Sequence, residues 1–129
     1  LPRPAEPSRP APPVSEPSVE LSFDPAFFDF DKYNIRADAR DALTHNAKLL
    51  MDHPEARIVI EGHCDERGTR EYNLALGDRR ARAAKDFLVR FGVEEARIEV
   101  ISYGEERPFA AGHNETAWQQ NRRAHFRTK

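Results

Sequence analysis

EGHCDERGTREYNLALGDRRA, residues Glu61–Ala81, is the stretch that decides how this chain is read. It opens at the end of a short apolar run, Arg57–Glu61, which predicts a buried strand. Gly62 then begins a polar loop that extends to about Glu71. From about Tyr72 the apolar spacing becomes helical and continues to Phe91, where Gly92 supplies a C-cap glycine. A strand, a polar loop and a helix in that order put the loop at the carboxyl end of a strand. Open α/β sheets tend to bind ligands there.

The helix carries one residue that breaks its own pattern. At 100° per residue, Leu76, Ala83, Ala84, Phe87, Leu88 and Phe91 form an apolar face, and Arg79, Arg82, Asp86 and Arg90 lie opposite. Arg80 stands four residues after Leu76 and four before Ala84, near the centre of the apolar stripe. A guanidinium aimed at a core is costly unless an anion meets it. That anion can be an internal carboxylate, in which case Arg80 is a structural salt bridge. It can also be the carboxylate of a ligand, taken into a pocket that the positive end of the helix dipole would favour. Asp65, in the loop just before the helix, would bring a negative charge to the same place. An Asp and an Arg facing one cavity suit a zwitterion, with no catalysis required.

Outward from this stretch, periodicity of two and of 3.6 alternate. Val19, Leu21 and Phe23 read as a first strand, with Phe27–Phe30 as a possible extension beyond Pro25. Asn34 reads as the N-cap of a helix over about Ile35–Asp52, with Ile35, Ala39, Ala42, Leu43, Ala47, Leu49 and Leu50 as its apolar stripe and Pro54 as its stop. On the other side, Arg97–Tyr103 reads as a third strand ended by Gly104 and Pro108. A short helix over Glu115–Asn121 and a last strand over Arg123–Thr128 complete the order. The pattern predicts an α/β (α+β) fold, a two-layer sandwich with helices on one face of a mixed four-stranded sheet.

Composition sets the limits. The chain has 129 residues with 20 Lys and Arg against 22 Asp and Glu, a net charge of −2. Seven of its 10 prolines fall in the first 17 residues, and no glycine precedes Gly62. Residues 1–17 therefore read as an extended, Pro-rich tether, and residues 18–129 as one domain. No run approaches the roughly 18–20 apolar residues of a membrane span. The sequence starts at Leu1 without a leader, as expected of a trimmed chain. The charge balance and the lack of an aromatic platform beside Arg79-Arg80 and Arg122-Arg123 argue against nucleic acid, so Arg79 and Arg123 are expected to be solvated. No cofactor is expected. His63, Cys64 and Asp65 are consecutive at a strand end, where side chains alternate in direction and do not converge on one metal ion. His45, His53, His113 and His125 lack ligand spacing, and Cys64 has no oxyanion glycine pattern around it.

The segment Glu61–Ala81 resembles the signature of the OmpA-like peptidoglycan-binding domain family. FDFDKYNIR (Phe28–Arg36), SYGEERP (Ser102–Pro108) and NRRAHF (Asn121–Phe126) agree, so the resemblance covers about residues 20–128. It implies a non-catalytic domain that grips peptidoglycan through the diaminopimelate of the stem peptide. By the family pattern Asp65 and Arg80 hold the zwitterionic end of that amino acid. Asn73, Leu76, Asp31 and Arg122 match further site positions, and Phe30 and Tyr33 shape the rim. The lipoprotein members of the family are anchored in the outer membrane through an N-terminal lipid and bind the β-propeller protein TolB. The resemblance therefore implies the periplasmic face of the outer membrane in a Gram-negative bacterium, with the lipidated cysteine absent from this chain and the Pro-rich arm as spacer. Cys64 stands where relatives usually carry Ala or Thr, and Asn34 where they often carry Asp. Two other readings stay open on the residues alone: a small α/β enzyme, and a protein-interaction module whose wall binding is secondary.

Overall fold

The computed structural model describes residues 21–129. The Pro-rich arm and Val19 lie outside the described residues. The elements are β1 (Ala26–Phe27), α1 (Ala37–Asp52), β2 (Ile58–His63), α2 (Arg70–Phe91), a 3-10 turn (Glu95–Arg97), β3 (Ile98–Gly104), α3 (Glu115–Asn121) and β4 (Arg123–Thr128). The sheet order is β1-β4-β2-β3. β2 runs parallel to β3 and antiparallel to β4, and β1 is antiparallel to β4. The mixed four-stranded sheet and two-layer architecture expected from the periodicities are therefore present.

One face of the sheet, made of Ile58, Ile60, Ile98, Ala124 and Phe126, packs on Ala39, Leu43, Ala47 and Leu50 of α1 and on Ala81, Ala84 and Leu88 of α2. At roughly 25 cal/mol per Å² of apolar surface removed from water, this single core is the main stabilising term. A close backbone approach seats α2 on β2. A Cβ built at Gly62 would lie 1.7 Å from the Gly77 carbonyl oxygen, so only glycine fits where the helix crosses the strand. That crossing fixes the N-terminal half of α2 beside the carboxyl end of β2.

Several boundaries differ from the sequence reading, each for a local reason. Residues 21–25 do not form the first strand, which is confined to Ala26–Phe27. Buried Asn46 of α1 takes both main-chain groups of Asp24: its Oδ1 accepts from the Asp24 N–H at 2.8 Å and its Nδ2 donates to the Asp24 carbonyl at 2.8 Å. With those groups used, and Pro25 lacking an N–H, no ladder can form there. Asn34 is not the N-cap of α1. The helix begins after Arg36, and Asp38 in the first turn accepts from its neighbour's N–H at Ala39 while pairing with the Arg36 guanidinium. β2 continues through His63 beyond Gly62, with a register irregularity between them. Thr69 caps α2 by accepting from the Tyr72 N–H at 3.1 Å, so the helix starts two residues earlier than its apolar spacing shows. Arg97 sits in the 3-10 turn and not in β3. Phe91, expected on the buried face, is exposed and borders an open surface groove with Ile35 and Phe87. Gly92 does close α2, at φ 128°.

Candidate functional site

Three pieces of chain meet beside the first half of α2: the carboxyl end of β2, the loop that follows it, and the turn at residues 28–33. Arg80 projects from α2 into their junction and is 1% exposed. Its Nε donates to the Lys32 carbonyl at 2.8 Å, Nη1 to the His63 carbonyl at 3.0 Å and Nη2 to the Asp29 carbonyl at 3.0 Å. Among the described residues no carboxylate forms a salt bridge with it, so the internal ion pair is replaced by main-chain oxygens. A guanidinium has five N–H groups, and two remain after these three bonds. Burial lowers its pKa, partly offset by the neighbouring Asp65 and Asp31, but an arginine stays charged.

Asp65 is 3% exposed. Its Oδ1 accepts from the Arg67 N–H at 3.0 Å, and its Oδ2 from Arg67 Nη2 at 3.0 Å and Arg122 Nη1 at 3.3 Å. Burial alone would raise its pKa; the bonds from Arg67 and Arg122 outweigh that and hold the carboxyl below the usual aspartate range. Arg122 stands behind Asp65, with Nε on the Phe28 carbonyl at 2.9 Å and Nη2 on Glu115 at 2.7 Å. Asn73 is buried, and its Nδ2 donates to the Arg67 carbonyl at 3.0 Å and to Glu105 at 2.6 Å, which ties the loop to α2 and to the chain after β3.

A cavity of about 200 Å³ opens between these groups. Of the residues expected from the sequence, it brings together Phe30, Asp31, Asp65, Asn73, Leu76 and Arg80. Arg122 acts from behind, as a positioning residue for Asp65. Tyr33 does not line the cavity; it is exposed, with the Arg79 guanidinium 5.7 Å from its ring. Asp31 holds a left-handed backbone, φ 57°, and accepts a hydrogen bond from the Tyr72 hydroxyl, which folds the 28–33 turn over Arg80. Four further lining residues, Arg67, Tyr72, Cys64 and Gly68, were not anticipated. Tyr72 was legible, since Tyr72, Leu76 and Arg80 recur at spacing four along one helix face. Arg67 had no such signal, because loop residues carry no periodicity.

Cys64 donates its thiol to the Asn73 carbonyl at 3.2 Å, and burial pushes its pKa up to about 11. A protonated, bonded thiol is not a nucleophile. His63 points to the other face of the sheet, against Phe109 and Tyr103, so the three consecutive polar residues diverge. Arg123 is not the solvated charge expected. It is half-buried, stacked 3.9 Å over the Phe109 ring and 4.9 Å from that of Phe27.

Residues 27–122 match the OmpA family. This chain belongs to it. A peptidoglycan-associated lipoprotein from Mesorhizobium japonicum is 56% identical over 101 residues, 78% of this chain and 60% of that protein. One from Pseudomonas aeruginosa is 50% identical over 101 residues, with the same coverage. The chain thus spans about 60% of the length of the curated relatives it matches. The crystal structure of the peptidoglycan-associated lipoprotein from Burkholderia pseudomallei superposes with a TM-score of 0.78 at 45% identity, over 81% of this chain and 89% of that one. The C-terminal domain of Helicobacter pylori MotB shares the fold, with a TM-score of 0.77 at 22% identity over 84% of this chain and 85% of that one. The two curated relatives and the Burkholderia protein are named for association with peptidoglycan.

Proposed function

We propose that this chain binds peptidoglycan without catalysis, by holding the zwitterionic end of a stem-peptide diaminopimelate between Arg80 and Asp65. The observation that carries this reading is Arg80 itself. It is fully buried, held by three carbonyl oxygens, without a carboxylate partner among the described residues, and it lines a cavity shared with Asp65. A ligand carboxylate in that cavity would meet the two remaining N–H groups in the forked geometry arginine favours. The ligand ammonium would then face Asp65, and Leu76 and Tyr72 would cover the methylenes between. Such a grip suits a domain that links the outer membrane to the wall, through an N-terminal lipid anchor, in a Tol–Pal system serving envelope integrity and cell division. A TolB-like β-propeller partner belongs to the same reading, which rests there on the family resemblance.

Calorimetric titration of a diaminopimelate-containing muropeptide tests the site. Saturable binding to the wild type is expected, with at least a hundredfold loss in Asp65→Ala and in Arg80→Lys, which keeps the charge but not the fork. Circular dichroism establishes that each variant is folded. A wild type that does not bind would overturn the wall-binding reading and leave docking to a TolB-like partner as the primary role.

A further inference from the structure

Asp65 is not waiting empty for a ligand. The Arg67 guanidinium occupies it, with Nη2 3.0 Å from Oδ2 and Nε 3.4 Å from Oδ1. The same guanidinium lies 3.8 Å from the centroid of the Phe30 ring and 4.1 Å from that of Trp118. Phe30 and Arg67 both line the cavity. A planar cation held by a carboxylate and two aromatic faces is chemically what an ammonium-bearing ligand would replace.

We infer that Arg67 is a specificity-determining residue that fills the ammonium half of the cavity in the free protein, so that ligand binding proceeds by exchange of Arg67 for the ligand's ammonium on Asp65. The inference rests on the zwitterion reading of the cavity given above. The surroundings of Arg67 are built for such an exchange. Its side chain is 32% exposed and comes from a loop, whereas Arg122, the other partner of Asp65, is 5% exposed and anchored on Phe28 and Glu115. Asp65 therefore keeps one cation behind it when Arg67 leaves. Arg67 also has a place to go: Glu115, 55% exposed, already lies 3.8 Å from its Nη2.

The exchange selects bifunctional ligands. A ligand with an ammonium but no carboxylate gains nothing from Arg80 and must still displace a cation held at three points. A ligand with a carboxylate alone binds Arg80 and leaves Arg67 in place. Only a group that carries both charges gains enough to complete the exchange. When Arg67 moves, the space between Phe30 and Trp118 opens to the rest of the ligand.

Trp118 is the single tryptophan of the chain, so its fluorescence reports the departure of Arg67 directly. The probe is a disaccharide-tripeptide ending in diaminopimelate, compared with the same molecule N-acetylated on its free side-chain amine. In the wild type, the free-amine probe is expected to change Trp118 emission and the acetylated one to leave it unchanged. Arg67→Gln is expected to bind the free-amine probe about tenfold more tightly, since one part-buried ion pair and two stacking contacts no longer compete. Its gain for the acetylated probe is smaller, because that probe does not displace Arg67. Arg67→Lys, which keeps charge but loses the planar stack, falls between the two. Equal or weaker binding by both variants, or a silent Trp118 in a wild type that binds by calorimetry, would overturn the exchange. Failure of the wild type to bind at all, or Arg80→Lys binding like the wild type, would instead sink the zwitterion reading on which it stands.

Discussion

Of the three arginines buried among the described residues, Arg80 and Arg97 sit at opposite ends of the sheet and solve the same problem differently. Arg97, 8% exposed, donates Nε to the Ala56 carbonyl at 2.9 Å and Nη2 to the carbonyls of Leu50 at 2.8 Å and His53 at 2.6 Å. Leu50 and His53 are at the carboxyl end of α1, where unpaired carbonyls and the helix dipole favour a cation. Arg97 also has a carboxylate of its own, Glu94 at 3.2 Å. Arg80 likewise gathers three carbonyls from separate segments, but it has no carboxylate among the described residues and it opens on a cavity. Burial and hydrogen bonding to the main chain are thus common to a structural arginine and a candidate binding arginine. What separates them is the missing counter-charge.

The largest expected effect tests the frame on which this comparison rests. Gly62→Ala would drive a Cβ into the Gly77 carbonyl, and the helix cannot move without emptying the core beneath it. We expect a loss of about 4 kcal/mol or more, read as a urea midpoint or as failure to fold. A stable, ligand-binding Gly62→Ala would show that another contact places Arg80. Next come the arginines themselves. Arg97→Met and Arg80→Met each leave three carbonyls without their donor, and each is expected to lower stability by about 3 kcal/mol. Only the second should lose the muropeptide. Equal loss of binding in both would erase the distinction drawn between them.

The smallest effect is one of pH. Because the folded pKa of Asp65 lies below the ordinary aspartate value, its stabilising contribution is complete above about pH 4 and is lost as pH falls through the lowered value. Three of the four acceptors around Arg97 are carbonyls, which do not titrate. Acid should therefore open the loop at residues 64–69 before the chain at 53–57, visible as earlier loss of amide protection, and Asp65→Asn should remove the difference. Simultaneous opening of both segments would mean that Asp65 does not hold the loop.

Much of this was present in the linear order of residues. The helix spanning Leu76 and Phe91, its stop at Gly92, and α3 and β4 at their observed limits follow from spacing and capping alone, because these signals act over a few residues. Arg80 was conspicuous for the same reason, as a charge on the wrong side of a regular stripe. Periodicity could not show that Asn46 reaches back to Asp24 and dissolves the expected first strand, nor that Thr69 starts α2 early. Arg97, at the boundary between a turn and a strand, carried no pattern that set it apart.

By itself the sequence determined the alternation of strands and helices, the burial of Arg80 and its partnership in one region with Asp65. Tertiary structure alone decided what meets the two charges. Carbonyls from the 28–33 turn and from β2 take Arg80, and Arg67 with Arg122 takes Asp65. The reason is one of range: periodicity records which face of an element is buried, whereas the partner of a buried charge comes from segments that are distant in sequence and meet only once the core has closed.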